Sequence, residues 1–154
     1  MTKWILKKFD DLTPHELYSI LQLRNEVFVV EQNCVYQDAD DKDRSSYHFT
    51  GWINDRPIAY ARLLPKGAVY EDYVSIGRVV VSPSARGTGI GKELIQRSIE
   101  QANTLFGAVP IKIGAQIYLK IFYSEFGFQQ TSDVYLEDGI EHIEMIRYDH
   151  NTIS

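Results

Sequence analysis

The apolar residues in the first third of this chain recur at helical spacing. Thr13-Pro14-His15-Glu16 forms a capping box with proline at the first helical position, which predicts the start of a helix. One face of this helix then continues at spacings of three and four residues through Leu17, Ile20, Leu21, Arg24, Val27 and Phe28.

Two further helices are predicted downstream. The first follows a glycine-rich segment and has small or apolar residues along one side: Ile90, Leu94, Ser98 and Ala102. The second is short and largely apolar: Leu119, Phe122, Tyr123 and Phe126. Gly127 follows it at the position where a left-handed C-terminal cap is expected.

Strand patterns occupy most of the remaining chain. They predict strands at 4–9, 47–53, 58–64, 74–82 and 109–114, and a hairpin of 131–136 and 140–148 around Asp138-Gly139. The segment 74–82 is largely apolar, as in a strand buried on both faces, and Gly77 within it suggests a bulge or a close approach of another backbone. This order of elements predicts one mixed α/β domain over residues 1–154.

The composition narrows the class of protein. The chain has 154 residues, of which 44% are hydrophobic and 24% are charged, as in an ordinary globular domain. A net charge of -5 argues against general binding of nucleic acid. The chain has no apolar stretch near the ~18 residues of a membrane span, and Cys34 is its single cysteine. We therefore expect a soluble cytoplasmic protein that binds neither nucleic acid nor membrane.

A glycine-rich loop joins the predicted strand 74–82 to the second helix. Arg86-Gly87-Thr88-Gly89-Ile90-Gly91 can gather N–H groups around an anion at the helix N-terminus. A P-loop would need glycine where Arg86 stands, and a dinucleotide fingerprint from Gly87 would need glycine where Lys92 stands. The loop therefore predicts a phosphate site of a third type.

Residues in and around this loop resemble motifs of the GNAT superfamily of N-acetyltransferases. Arg86-x-x-Gly89-x-Gly91, directly after Arg78-Val79-Val80-Val81-Ser82, is similar to the acyl-CoA signature of that family. The segment 116–128, which contains Tyr123 and ends in Gly127-Phe128, resembles its second motif. The segments 27–34 and 36–38 resemble the ElaA-like branch.

The resemblance implies a fold, a cofactor and a set of site residues. The fold would be a central mixed, mostly antiparallel sheet with splayed middle strands, flanked by helices, and the acyl donor would be acetyl-CoA. Gln116 would contact the cofactor, although the family often has asparagine there, and Tyr123 would protonate the departing thiolate. The pantetheine arm would lie along Val79, Val80 and Val81, and the pyrophosphate would bind the amides of Arg86, Gly87, Thr88, Gly89, Ile90, Gly91 and Lys92.

The general base stays open at this point. Many relatives carry a glutamate on the strand before the glycine loop, where this chain offers Ser75, Gly77 and Arg78. Glu31, His48, His142 and Glu144 are the candidate substitutes, directly or through water, and the first three are also candidate acceptor-binding residues. Cys34 has no evident histidine partner, which favours a buried thiol over a nucleophile.

The segment 37–46 is rich in aspartate. Asp38, Asp40, Asp41 and Asp43 lack the glycine and glutamate spacing of a calcium-binding EF-hand loop, so we predict no metal site. The pattern predicts a solvated loop, with attraction of a cationic acceptor as the alternative.

These observations together predict an enzyme. It would move an acetyl group from acetyl-CoA to the primary amine of a small molecule or peptide by direct attack in a ternary complex. The alternative is a non-catalytic acyl-CoA-binding or interaction module that retains the cofactor site. The identity of the amine and the oligomeric state stay open, although homodimers are common among relatives.

Overall fold

The computed structural model describes residues 1–149, so residues 150–154, the end of the range assigned to the domain, lie outside the described part. The described chain contains three α-helices: α1 (Pro14–Arg24), α2 (Ile90–Phe106) and α3 (Lys120–Ser124). Its strands are β1 (Lys3–Lys8), β2 (Tyr47–Ile53), β3 (Arg56–Leu64), β4 (Ser75–Val81), β5 (Ile111–Gln116), β6 (Phe128–Gln130), β7 (Tyr135–Glu137) and β8 (Ile140–Arg147).

The strands form two antiparallel sheets that meet at one point. The first sheet has the order β1-β2-β3-β4, and the second has the order β5-β8-β6 with β7 also paired to β8. A single parallel bridge joins the starts of β4 and β5, between Val74, the residue before β4, and Ile111, and the Lys112 amide donates to the Val74 carbonyl at 3.0 Å. Over the rest of their described length the two strands are not paired with each other. The prediction of splayed middle strands is confirmed.

Helices cover both faces of the first sheet. The buried side of α2 packs into the larger core with apolar residues of β2, β3, β5 and β8, and it includes all four positions predicted from sequence: Ile90, Leu94, Ser98 and Ala102. Residues of α1 form a second core on the opposite face with Trp52, Tyr60 and Val80. Strand β3 is buried almost throughout, as expected of a strand covered on both sides.

The first helix changes geometry at its C-terminal end. The capping box is present, with Thr13 accepting from the Glu16 amide and the Glu16 side chain accepting from the Thr13 amide. The α-helix ends at Arg24, and the chain continues as a π-helical turn over Asn25–Glu31. The predicted helical face therefore extends to Phe28, but its last part lies in the wider π turn, a geometry frequent at functional sites.

Strand β4 contains the predicted bulge, one residue beyond Gly77. Tyr60 pairs with Val80 and Arg62 pairs with Gly77, so β4 has one extra residue in this stretch. Within it, Arg78 has a φ of +48°, in the left-handed region that favours glycine.

The C-terminal part contains the predicted hairpin around Asp138-Gly139, but its first strand is only Tyr135–Glu137, so the predicted strand at 131–134 is absent. One further strand is present. The short β6 was not predicted, because three residues are too few to show a strand pattern. No helix within residues 1–149 is long and apolar enough to cross a membrane.

Candidate active site

A cavity of about 420 Å³ lies on the glycine-loop side of the gap between β4 and β5. We term it the loop-side cavity. Its walls come from β4, the π turn, the end of β5 and α3. It is lined by six of the predicted cofactor residues: Val79, Val80, Val81, Arg86, Gly91 and Gln116.

The glycine loop stands beside this cavity, at the N-terminus of α2. Gly87 and Gly89 have φ values of +80° and +82°, which side-chain-bearing residues rarely adopt. The Thr88 hydroxyl donates to the Ala85 carbonyl at 2.6 Å and closes the loop. Gly89 is the N-cap and provides no side-chain cap, so three first-turn N–H groups have no intrahelical acceptor: those of Ile90, Gly91 and Lys92. This arrangement can bind a phosphate group.

Tyr123 lies at the inner end of the loop-side cavity. It also lines a second cavity of about 120 Å³, the central cavity, which occupies the gap between the sheets. The side chain is 7% exposed and packs edge-on against Phe122 and Phe128, with ring centroids 5.3 and 5.8 Å away. Burial raises the pKa of Tyr123, and Tyr118 raises it further. The hydroxyl therefore carries its proton at neutral pH and can donate it.

His142 lines the same central cavity from β8. Its Nδ1 atom lies 2.7 Å from the Ile140 carbonyl oxygen, which can only accept a hydrogen bond. Nδ1 therefore donates its N–H to this carbonyl, which leaves Nε2 as the ring nitrogen that faces other groups. Nε2 lies 3.6 Å from Oε2 of Glu137, and the ring stacks against Tyr135. A tyrosine and a histidine, two side chains that can exchange protons, thus line the central cavity.

A third cavity, of about 360 Å³, adjoins the central cavity on the side away from the glycine loop. We term it the tyrosine-side cavity, because Tyr36, Tyr70 and Tyr135 line it. A Cβ atom at Gly114 would lie 2.9 Å from the Tyr135 hydroxyl, so a side chain at this position would displace the end of the Tyr135 ring. The central cavity shares wall residues with both neighbours, including Gln116 on one side and Glu137 on the other. The three cavities therefore adjoin one another in a row between the sheets, and we term this row the path.

The three predicted acceptor-binding residues are not brought together. Glu31 lies at the loop-side cavity, where its carboxylate accepts two hydrogen bonds from Arg86 at 2.6 and 2.8 Å. These bonds lower the pKa of Glu31. His48 is 1% exposed in β2, with Nδ1 2.6 Å from the Tyr60 hydroxyl and Nε2 2.9 Å from the Asp43 carbonyl. Of the three, His142 alone lines the central cavity.

Two other candidates from the sequence have structural partners. The Cys34 thiol lines the central cavity and donates to the Asp138 carbonyl at 3.3 Å. Glu144 lies 3.5 Å from Lys112 as an ion pair. In the cofactor set, the side-chain amide of Gln116 donates to Gln32 at 3.4 Å, and the exposed Lys92 lies 3.4 Å from Glu125.

The aspartate-rich segment is not a solvated loop, and that prediction was wrong. Asp38, Asp40 and Asp43 alternate with three arginines in a closed ring of ion pairs, with N–O distances of 2.5 to 3.4 Å. Its order is Arg24, Asp38, Arg78, Asp40, Arg62, Asp43 and back to Arg24. We term it the Arg–Asp ring.

Because the carboxylates of the ring are already paired with cations, they are poorly placed to attract a cationic acceptor. Burial alone would raise the pKa of Asp40 and Asp43, but hydrogen bonds and charge from Arg62 and Arg24 outweigh burial and lower both. Of the four aspartates, Asp41 alone is largely exposed, with a side chain 92% accessible.

Comparison with known proteins identifies the family. Residues 10–148 match the sequence model of the Acetyltransferase (GNAT) domain. The chain is 44% identical to protein ElaA of Escherichia coli strain K12 over 149 residues, which cover 96% of this chain and 97% of ElaA. The chain belongs to the GNAT acetyltransferase family.

Solved structures agree with this assignment. The crystal structure of an acyl-CoA N-acyltransferase from Pseudomonas aeruginosa is 44% identical to this GNAT chain and superposes with a TM-score of 0.89. The match covers 94% of this chain and 99% of the other. The crystal structure of Escherichia coli ElaA gives 43% identity and a TM-score of 0.89, covering 96% and 99%. A GNAT family acetyltransferase from Elizabethkingia anophelis, determined with acetyl-CoA bound, shares the fold at 17% identity and a TM-score of 0.62, covering 96% and 97%.

Sequence reasoning missed the Arg–Asp ring and the tyrosine-side cavity. A signal for the ring was present, because Arg24 falls on the apolar face of α1 and Arg62 lies within an apolar strand. Buried arginines require acidic partners, and the aspartate-rich segment offers them. The tyrosines come from three separate segments, and no local pattern relates them to one another.

Proposed function

We propose that this GNAT domain transfers an acetyl group from acetyl-CoA to a primary amine, by direct attack within a ternary complex. The observation that carries the proposal is the path between the sheets. It has an anion-binding loop beside one end and a tyrosine-lined opening at the other, and Tyr123 and His142 both line its narrow centre.

The donor occupies the loop-side cavity in this proposal. The pyrophosphate binds the free N–H groups at the start of α2, beside Arg86 and its partner Glu31. The pantetheine arm follows the β4 edge along Val79 and Val81, which β5 leaves unpaired. The acetyl-CoA-bound relative from Elizabethkingia anophelis supports this choice of donor, since it shares the fold.

The chemistry requires two proton movements. The neutral amine nitrogen attacks the thioester carbonyl carbon, the C–N bond forms, and the C–S bond breaks. The proton lost by the amine goes to Nε2 of His142, and the Glu137 carboxylate faces the charge that the ring gains. The Tyr123 hydroxyl gives its proton to the departing sulfur, which leaves as free CoA thiol. Exchange with water then restores both side chains.

The acceptor enters through the tyrosine-side cavity. This cavity presents the 59% exposed carboxylate of Glu137 and the rings of three tyrosines. The carboxylate suits a positively charged amine, which loses one proton to solvent before its neutral nitrogen attacks. Small amines, polyamines, peptide N-termini and lysine side chains all carry this group.

An acceptor panel tests the proposal. The purified protein is incubated with acetyl-CoA and one amine of each class, and the release of CoA thiol is followed. We expect at least one amine to support turnover well above hydrolysis, and His142→Gln to lower kcat for it. The matched control is His15→Gln, an exposed histidine on α1 that should retain the parent rate. Binding of acetyl-CoA without turnover on any amine would instead support the non-catalytic module.

A further inference from the structure

The bulge in β4 places an unexpected residue type in a left-handed conformation. Arg78 has a φ of +48°, where the side-chain Cβ atom makes the backbone unfavourable for most residues and glycine avoids the cost. Glycine does occur at the neighbouring position, but the φ of Gly77 is not in the left-handed region. The structure around the bulge must therefore contain an interaction that holds the backbone in this state.

The Arg–Asp ring provides that interaction. The Arg78 guanidinium donates through Nε to an Asp38 carboxylate oxygen at 2.8 Å and through Nη2 to the Asp38 carbonyl at 3.1 Å. It also lies 3.4 Å from Asp40. Asp38 is itself held by Arg24, which is 0% exposed, and by the Tyr36 hydroxyl at 3.0 Å. The ring thus connects the bulge to the buried end of α1.

The bulge lies at the point where the donor and acceptor sides of the path meet. Val79, next to Arg78, lines both the loop-side and the central cavities, whereas Arg78 lines the central and the tyrosine-side cavities. Any movement of the bulge changes where the β4 backbone presents its N–H and C=O groups to a thioester. The positions of these groups therefore depend on the backbone conformation of one residue.

We propose that Arg78 is a positioning residue: through the Arg–Asp ring it holds the strained bulge of β4, and the bulge in turn aligns the thioester for attack. The positioning role rests on the proposed function, whereas the structural role of the ring does not. A thioester displaced by about 1 Å reacts up to about 100-fold more slowly.

Two substitutions distinguish the effect of the backbone conformation from the effect of the guanidinium. Arg78→Ala removes the ring contacts and leaves a Cβ atom at φ +48°, so the bulge should relax. Arg78→Gly removes the same contacts but tolerates this φ without strain, so the bulge should persist. Asp41→Asn is the matched control, because Asp41 belongs to the same segment but lies outside the ring.

The first measurement is the crystal structure of each variant, which requires no turnover. We expect φ of residue 78 to leave the left-handed region in Arg78→Ala and to stay there in Arg78→Gly and Asp41→Asn. An unchanged bulge in Arg78→Ala would show that the ring does not hold it. If Arg78→Ala fails to fold, Arg78→Met takes its place, because it retains the Cβ atom and the aliphatic stem but makes none of the ring contacts, and an unchanged bulge in it would show the same.

The second measurement is kinetic, with the best amine of the panel and with the affinity for CoA followed by calorimetry. We expect kcat to fall by about 10- to 100-fold in Arg78→Ala at nearly constant CoA affinity, and Arg78→Gly to recover most of the loss. Equal losses in both variants would overturn the positioning role and assign the guanidinium to direct contact with the acceptor. If the parent turns over no amine, the proposed function fails, while the crystal structures still decide the structural role.

Discussion

Substitution of Arg24 should destabilise the fold, because it deprives two buried carboxylates of a cation. Its fully buried guanidinium makes three hydrogen bonds, two to the Asp38 and Asp43 carboxylates at 2.8 Å and one to the Asp38 carbonyl at 3.3 Å. In Arg24→Met the aliphatic stem still fills the space next to α1, but two buried carboxylates each lose a cation.

The size of the effect follows from what these carboxylates retain. Removal of one partner of a buried ion pair costs about 3–5 kcal/mol. Asp38 keeps Arg78 and the Tyr36 hydroxyl, and Asp43 keeps Arg62, so we expect the lower value of about 3 kcal/mol. For a domain of this size each kcal/mol lowers Tm by about 2–4 °C, which gives a decrease of about 6–12 °C.

Thermal unfolding followed by circular dichroism at pH 7 measures this decrease. The matched control is Arg44→Met, since Arg44 pairs with Asp41 at 3.2 Å where both side chains are largely exposed. Exposed pairs contribute little, so its Tm should stay within about 2 °C of the parent value. If Arg24→Met also stays within about 2 °C, the ring does not stabilise the fold and our reasoning on it is wrong.

Three further predictions concern the site and the pH dependence of stability. Gly89→Val should weaken acetyl-CoA binding in calorimetry by at least about tenfold, because valine disfavours φ +82°; equal affinity would remove the loop from the donor site. Tyr123→Phe should keep acetyl-CoA affinity and lower kcat by about 10²–10⁴, and an unchanged kcat with chemistry rate-limiting would exclude Tyr123 as the acid. Burial lowers the pKa of His48, so below about pH 6.5 the unfolded chain gains a proton that the folded chain does not. The free energy of unfolding should therefore decline by up to about 1.4 kcal/mol for each unit by which the pH falls. In denaturant unfolding, His48→Gln should show a shallower decline between pH 6.5 and 5, and equal slopes would contradict this account.

The elements and the backbone conformation of the glycine loop could be predicted from the sequence because their causes are local. The Thr13–Glu16 capping box and the apolar side of α2 concern residues within a few positions of one another. The same holds for Gly87 and Gly89, whose positive φ values depend on the absence of their own side chains. The resemblance to GNAT motifs then connected these local features to a cofactor and to Tyr123.

The Arg–Asp ring and the narrow centre of the path depend on the tertiary structure. The ring joins residues 14 to 40 positions apart, and His142 enters the central cavity only because β8 pairs with β5 across the second sheet. A sequence pattern shows which side of an element is apolar, but it does not show which buried sides meet. From the sequence alone, an aspartate among polar residues has the pattern of a solvated loop. Whether it is buried depends on a buried arginine from another element lying opposite it, because the energy of a charge depends on its surroundings in three dimensions.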